Sequence, residues 1–186
     1  MISYHACWDL FYIKGVNLPF FADSFGFVWQ QSICWTFILL SGFCIGIGRH
    51  PLRRGAVVFG AGLLVSVVTF LFAYEERILF GVLTFLGSAM LIFGWTRRVW
   101  ERVPAALGLG VSALLFGAFY KINQGVLLWP GVEVSLPSVL YANAFSTFWG
   151  FKEPYFFSTD YFSFFPWFFL FLCGYFLFKW VEEAGH

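Results

Sequence analysis

The chain has 186 residues, of which 60% are hydrophobic and 11% are charged, against about 25% charged residues in an average soluble domain. A soluble fold of this size could not bury so much apolar surface, because small domains leave a large part of their surface in water. The composition therefore excludes an ordinary soluble domain and predicts an integral membrane protein, and the net charge of +1 gives no indication of a nucleic-acid partner.

The opening stretch, residues 1–13, is apolar but too short to cross a bilayer alone. As a helix it would rise about 20 Å, whereas the hydrocarbon core is about 30 Å thick. It also lacks the basic segment and the small-residue cleavage site of a secretory signal peptide. We therefore expect it to be the later part of a spanning helix whose start is absent.

Five longer apolar segments follow, each close to the roughly 20 residues that a helix needs to cross a bilayer. These predicted spans are Phe25–Gly48, Gly55–Ala73, Ile78–Trp95, Val103–Tyr120 and Tyr161–Val181. With the opening stretch they predict an all-α fold, a polytopic membrane helix bundle with about six membrane elements, the first of them incomplete. We expect one integral-membrane domain over residues 1–186, located in the cell membrane.

Only one connection between the predicted spans is long. Residues 121–160 are rich in proline, glycine, serine and aromatic side chains. A connection of this length is uncommon in a compact domain unless it has a function of its own. The sequence therefore predicts a loop that is functional or partly folded.

The basic residues predict the orientation of the chain, because cytoplasmic loops carry an excess of lysine and arginine. If the five spans alternate, two short basic loops and the C-terminal end share one side, which is then cytoplasmic. The residues concerned are Arg49, Arg53, Arg54, Arg97, Arg98, Arg102 and Lys179. The long loop and the start of the chain are then predicted to face the far side.

The cysteines and the glycines are interpreted as packing residues. No two cysteines are spaced as Cys-x-x-Cys, so they indicate neither a metal site nor a disulfide. They are Cys7, Cys34, Cys44 and Cys173. Gly42 and Gly46 form a Gly-x-x-x-Gly pattern, which lets two membrane helices approach closely.

His5 and Asp9 form a titratable pair in otherwise apolar surroundings, one helical turn apart. On a helix, Asp9 could accept one N–H of the His5 ring and orient it, which leaves the other ring nitrogen free to act as a base or nucleophile. Ionisable side chains at membrane depth favour a functional role. The alternative is that both lie solvated at the membrane interface without a role, since His-x-x-x-Asp is short enough to occur by chance.

Four segments of this chain occur in the same order in a known family. They are "SYHACWDLFY", "TFILLSGFCIGIG", "ILFGVLTFLGSAML" and "STDYFSFFPWFFLFLCGYF", of which the last is the most specific. The sequence thereby resembles bacterial relatives of the heparan-alpha-glucosaminide N-acetyltransferase catalytic domain, which are transmembrane acyltransferases. The resemblance covers nearly the whole chain.

The resemblance implies that an acetyl or other acyl group passes from cytoplasmic acyl-CoA to a sugar amine or hydroxyl on the far side, without a metal. His5 matches the histidine of the family motif, as a general base or transient acyl carrier, and Asp9 matches the aspartate that orients it. The basic cytoplasmic loops are expected to meet the phosphates of the CoA donor.

The same resemblance places Asp160, Tyr161 and Trp167 in the lining of an outward acceptor pocket. Asp160 is expected near the N-terminus of the last helix, because the helix dipole favours a carboxylate there. The expected partners are therefore the lipid bilayer and a sugar or glycan acceptor, and a homo-oligomer is compatible with this function.

Two departures from the family pattern affect the expected chemistry. The family's first helix normally begins well before the Tyr-His, at an Arg-Gly element, so relative to the family this chain is expected to be truncated at its start. Thr84 stands where members often have a histidine after Phe-Gly-Val-Leu, and a threonine does not titrate near neutrality. The alternative to an acyltransferase is a non-enzymatic multi-pass membrane protein, either transporter-like, an assembly subunit or a degenerate family member.

Overall fold

The computed structural model describes residues 2–129 and 132–185. Two compact units divide the chain, residues Met1–Ile38 and residues Leu39–His186. A division into compact units does not decide whether they form one domain, so the single integral-membrane domain over residues 1–186 stays a prediction.

Aromatic side chains hold the first unit together. The Tyr4 ring centroid lies 5.1 Å from that of Phe21 and 5.4 Å from that of Trp29, and Phe21 is buried. In chain order the unit contains α1 (Ile2–Trp8), a π-helical turn (Asp9–Ile13), α2 (Pro19–Ala22) and the first part of α3 (Ser24–Ile47).

The second unit is also mostly helical. After the end of α3 it contains α4 (Pro51–Phe72), α5 (Val82–Arg102), α6 (Ala105–Phe119), β1 (Val126–Trp129), β2 (Val132–Ser135), α7 (Ala144–Trp149) and α8 (Trp167–Ala184). Its core lies along α5 and α8, whose most deeply buried large side chains are Phe85, Phe93, Phe171 and Phe176.

Three helices among the described residues are long and apolar enough to cross a membrane. They are Ser24–Ile47, Pro51–Phe72 and the helical stretch Ala105–Gln124. This protein is therefore a membrane protein. Helices also form at the other two predicted spans, as α5 and α8, and the total of about six membrane elements stays a prediction.

The bounds of α5 and α8 differ from the predicted spans for local reasons. α5 begins at Val82 rather than near residue 78, because Phe80 has a positive φ of 55° that a helix cannot contain. It runs on to Arg102, where Pro104 disfavours a helical residue 103. α8 begins at Trp167, directly after Pro166, rather than at Tyr161.

Most of the described residues are helical, as predicted. The long loop is partly folded, also as predicted, but it contains two short strands that the sequence did not indicate. β1 and β2 pair as an antiparallel hairpin with Val126 opposite Ser135 and Trp129 opposite Val132. Val126 and Trp129 in β1 and Val132 and Val134 in β2 are β-branched or aromatic residues, which favour extended backbone. An ion pair of 2.9 Å between Lys121 Nζ and Glu133 Oε1 adds a contact beside the hairpin.

Close helix contacts in the second unit depend on glycine. A Cβ at Gly42 would collide with the backbone of Phe171 on α8, and a Cβ at Gly46 would collide with the Phe178 ring. Gly62 on α4 faces the backbone of Thr84 on α5 in the same way. The Gly-x-x-x-Gly pattern is thus confirmed as a packing feature.

Candidate functional site

The structure places His5 on α1 and Asp9 at the start of the π-helical turn, both exposed. Within the described part of the first unit, no hydrogen bond or ion pair joins the two side chains. The Asp9 carbonyl accepts a hydrogen bond of 3.1 Å from the Lys14 N–H, and the His5 ring lies edge-on to Tyr4 at 6.0 Å. The coupling of the pair therefore stays a prediction.

Asp160 caps a helix, but the helix is α5 and not the last one. The backbone N–H of Val82, the first residue of α5, donates a 3.0 Å hydrogen bond to Asp160 Oδ2. No side chain caps α8. The expected place of Asp160 at the start of the last helix is therefore wrong, because α8 begins only after Pro166 and residues 158–162 turn toward α5 instead.

A ladder of hydrogen bonds fixes Asp160 at this position. The Thr159 N–H donates to the Arg77 carbonyl (3.2 Å), and the Phe162 N–H donates to the Phe80 carbonyl (2.9 Å). Between these two bonds, the Leu79 N–H donates to Ser158 Oγ at 2.9 Å. The segment around Asp160 thus runs alongside the residues that lead into α5, and its carboxylate accepts the Val82 N–H, one of the backbone donors that lack a partner within the first turn.

The surroundings of Asp160 shift the pKa of its carboxyl group. Burial raises the pKa of the Asp160 carboxyl above its ordinary value, and the hydrogen bond from the Val82 N–H offsets part of that increase. Desolvation is the larger of the two effects, because it disfavours the charged carboxylate. A carboxyl of this kind can exchange a proton closer to neutral pH than a solvated one.

A cavity of about 160 Å³ opens beside Asp160, between α4 and the start of α5. Its walls are mostly apolar, with Thr84 and Asp160 as the polar side chains. The lining residues are Gly62, Val65, Ile78, Gly81, Val82, Leu83, Thr84 and Asp160. Thr84 is 4% exposed, and its Oγ1 is a buried atom without a hydrogen-bond partner among the residues that the structure describes.

Tyr161 and Trp167 do not line this cavity. The Tyr161 hydroxyl donates a 2.6 Å hydrogen bond to the Thr147 carbonyl, so it ties the residue that follows the long loop to α7 within the loop. The Trp167 ring packs at 5.5 Å from Phe162 and 5.9 Å from Phe116. Of the three residues predicted for the acceptor pocket, the structure therefore places only Asp160 at this cavity.

A second cavity, of about 240 Å³, lies near the other end of α5 and is the more polar of the two. It is lined by Ile45, Gly46, Phe93, Arg97, Glu101, Tyr175, Phe178, Lys179 and Glu182. Arg97 Nε forms a 2.6 Å ion pair with Glu101 Oε1. Arg97 lies thirteen positions after Thr84 on α5, which corresponds to a rise of about 20 Å between these two lining residues.

Lys179 has a structural role that the sequence did not reveal. Its Nζ donates to the carbonyls of Glu101 (2.9 Å) and Val103 (2.7 Å) at the C-terminal end of α5. A cation is favoured at that end of a helix. The sequence identified Lys179 only as a cytoplasmic charge, because a contact between distant helices leaves no pattern in the sequence.

Among residues 2–129 and 132–185, no group of three or more His, Cys, Asp and Glu side chains is placed to hold a metal ion. The side chains at the two cavities offer carboxylates, the hydroxyls of Thr84 and Tyr175, and cations. Their chemistry is hydrogen bonding, proton exchange and the binding of charged groups.

Comparison with known families identifies the family of this chain. The family model described as heparan-alpha-glucosaminide N-acetyltransferase, catalytic, matches residues 1–186. No curated protein sequence and no solved structure gives a significant match to the chain. The family resemblance seen in the sequence is therefore confirmed over the whole chain.

Proposed function

Because this chain belongs to the heparan-alpha-glucosaminide N-acetyltransferase catalytic family, we propose that it transfers an acetyl or other acyl group from cytoplasmic acyl-CoA to a sugar or glycan on the far side of the cell membrane. We propose a multi-pass arrangement with about six membrane elements. The observation that carries this proposal is the family match over all residues. The two cavities near opposite ends of α5 support it, since a donor and an acceptor on opposite sides require two binding places.

The larger cavity is the proposed site for part of the CoA donor. Arg97 and Lys179 supply cations there, and the neighbouring Arg98 and Arg102 are exposed. Arginine binds phosphate oxygens through its planar fork of N–H donors. Since Arg97 is paired with Glu101, phosphate binding would replace that ion pair by a charge-assisted hydrogen bond.

The smaller cavity is the proposed place where the acyl group meets the acceptor. The basic loops predict that the start of α5 faces the far side. Asp160 lies at that end, with a carboxyl whose raised pKa suits hydrogen bonding to an acceptor hydroxyl or amine. Tyr161 and Trp167 are proposed to shape the neighbouring loop surface that the rest of the acceptor contacts.

His5 is the proposed general base or transient acyl carrier, oriented by Asp9. As a base, it takes the proton of the acceptor while the acceptor atom attacks the thioester carbonyl carbon. The carbon–sulfur bond then breaks, and the CoA thiolate takes up the proton. As a carrier, the imidazole accepts the acyl group first and passes it on, which releases CoA before the acceptor reacts.

Substitution of the pair tests this mechanism. His5→Ala is expected to lower the rate of acyl transfer by about 10²–10⁴-fold, the usual contribution of a general acid–base group. Asp9→Asn is expected to lower the rate less, because Asp9 only orients the ring. The double variant is expected to be no slower than His5→Ala, since residues that act as a unit are not additive. The measurement is transfer of radiolabelled acetyl from acetyl-CoA to glucosamine by the purified protein.

Asp23→Asn is the matched control, since Asp23 is another exposed carboxylate of the first unit. It is expected to keep wild-type activity. Additive losses in the double variant would show that His5 and Asp9 do not act together. Full activity of His5→Ala would contradict the mechanism, and a wild-type protein without acyltransferase activity would favour a non-enzymatic membrane protein.

A further inference from the structure

The cavity at the start of α5 has a mostly apolar lining with two polar side chains. Its volume is about 160 Å³, and apart from Thr84 and Asp160 its walls consist of glycines and aliphatic side chains. Val65 and Ile78 are the aliphatic residues contributed by α4 and by the segment before α5. Among the described residues, no aromatic ring lines it.

Thr84 is the buried polar group that lacks a partner in this cavity wall. A helical threonine usually donates to the carbonyl one turn earlier, as Ser88 does to the Thr84 carbonyl at 2.7 Å. For Thr84 that carbonyl belongs to Phe80, which lies outside the helix and accepts the Phe162 N–H instead. The local fold therefore leaves the Thr84 hydroxyl without its ordinary acceptor.

A buried hydroxyl without a partner costs free energy, so such groups in native proteins call for an acceptor. Gly62 faces Thr84 Oγ1 from α4, and a Cβ at position 62 would come within 2.7 Å of that oxygen. Gly81 faces Asp160 Oδ2, with a corresponding distance of 3.0 Å. Glycine at these two positions thus lets the neighbouring backbone pack close to both polar groups, where a Cβ would collide with them.

We propose that this cavity holds the acyl group during transfer, with Thr84 Oγ donating a hydrogen bond to the acyl carbonyl oxygen and Val65 and Ile78 packing against the alkyl chain. The inference rests on the proposed acyltransferase function. An acyl group needs few polar partners and an apolar wall, and the cavity offers both. A sugar ring would need more hydrogen-bonding groups than the two side chains present.

The chemistry of acyl transfer agrees with this arrangement. When the acceptor attacks the carbonyl carbon, negative charge develops on the carbonyl oxygen. The carbon–sulfur bond of the thioester then breaks, and the CoA thiolate takes up the acceptor proton. A hydroxyl donor stabilises the developing charge, and the N-terminus of α5 carries partial positive charge beside it. Val65 and Ile78 would then limit the length of the acyl chain.

Acyl-chain preference tests the proposal, measured as initial rates of transfer to glucosamine from acetyl-, propionyl- and butyryl-CoA. Thr84→Val keeps the shape and removes the donor, and it is expected to lower kcat by about 10²–10³-fold with little change in KM. Thr84→Ser is expected to keep most of the activity. Val65→Ala enlarges the cavity and is expected to raise the butyryl-to-acetyl rate ratio by about 10-fold or more. In an apolar pocket, one methylene group changes the relative rates of two substrates by at least that factor.

Val67→Ala is the matched control, because Val67 lies on the same helix, is 55% exposed and does not line the cavity. It should leave the rate ratio unchanged. If Thr84→Val does not fold, the rate ratio of Val65→Ala still decides the question. An active protein with wild-type kcat in Thr84→Val, or with an unchanged rate ratio in Val65→Ala, would overturn the acyl cavity and leave the acyltransferase function standing. A wild-type protein that transfers no acyl group from any donor would overturn the proposed function itself.

Discussion

At the scale of single residues, Asp160 joins a structural role to a proposed chemical one. Its carboxylate accepts the N–H of Val82 and so caps α5 from a distant part of the chain. The same carboxyl is half-buried at the edge of the small cavity, which raises its pKa. The two roles can therefore be tested separately, by one substitution that keeps the hydrogen bond to Val82 and one that removes it.

Asp160→Asn keeps an oxygen that can accept the Val82 N–H, whereas Asp160→Ala does not. Loss of a helix cap costs about 0.5–2 kcal/mol of the free energy of unfolding, and Asp160→Ala is expected to lose that amount. Asp160→Asn is expected to be at least as stable as wild type at neutral pH yet slower in acyl transfer. Unfolding in detergent solution and the transfer assay measure the two effects, and unchanged transfer by Asp160→Asn would reduce Asp160 to a cap.

The pH dependence of stability follows from the raised pKa of Asp160. The stability that protonated Asp160 contributes is fully present below its ordinary pKa and is lost as the pH rises through its raised folded-state pKa. The stability of Asp160→Asn relative to wild type is therefore expected to increase between acid and neutral pH. The opposite trend would mean that the Val82 hydrogen bond outweighs the burial of the charge.

The sequence points to Asp160 and Thr84 as residues of interest, but it does not show that they line the same cavity. Thr84 was recognised because it stands where family members often have a histidine. Its unpartnered hydroxyl depends on the positive φ of Phe80, and no residue type near it signals that backbone conformation. The sequence does not show which distant helix N-terminus a loop carboxylate reaches, and for this reason the predicted position of Asp160 at the last helix is wrong.

At the scale of elements, small residues decide how closely the helices of the second unit pack. A Cβ at Gly174 of α8 would collide with the Leu39 carbonyl and come within 2.9 Å of the Phe43 backbone nitrogen. A Cβ at Gly110 of α6 would meet no atom within 4 Å. These two helical glycines therefore form a matched pair for substitution.

Gly110→Ala is expected to leave stability unchanged or raise it by up to about 1 kcal/mol, because alanine is the better helix former. Gly174→Ala is expected to lower the free energy of unfolding by about 1–3 kcal/mol despite the same gain, since overpacking moves α3 and α8 apart. Thermal unfolding of both variants in one detergent measures the difference. Equal stability of the two variants would show that α8 does not depend on close approach at Gly174.

The sequence predicts where the long helices lie, but it predicts the residues at which they begin and end less accurately. Long apolar segments identified α3, α4 and α6 closely. The sequence did not predict the hairpin in the long loop. Its strands have only four residues each, too few for a clear strand pattern, and they lie in a region rich in turn-forming residues. The late start of α5 was missed because it depends on the bonds between residues 77–82 and residues 158–162.

At the scale of the whole molecule, the distribution of charge predicts which side of the membrane each loop occupies. Arg53 and Arg97 are expected inside, and the long loop is expected outside. Single cysteines at positions 53 and 140, in a background without the native cysteines, test this in intact cells. A membrane-impermeant thiol reagent is expected to label position 140 and not position 53, and the reverse pattern would contradict the orientation.

In the proposed function, an acyl group crosses the membrane from its donor to its acceptor. The most direct measurement uses proteoliposomes with the protein in one orientation, radiolabelled acetyl-CoA on the side of Arg53 and Arg97, and glucosamine on either side. We predict acetylated glucosamine only when it lies on the side opposite acetyl-CoA, and none when the positions of donor and acceptor are exchanged. Equal acetylation of glucosamine on the same side as acetyl-CoA, or no acetylation in any arrangement, would contradict the account.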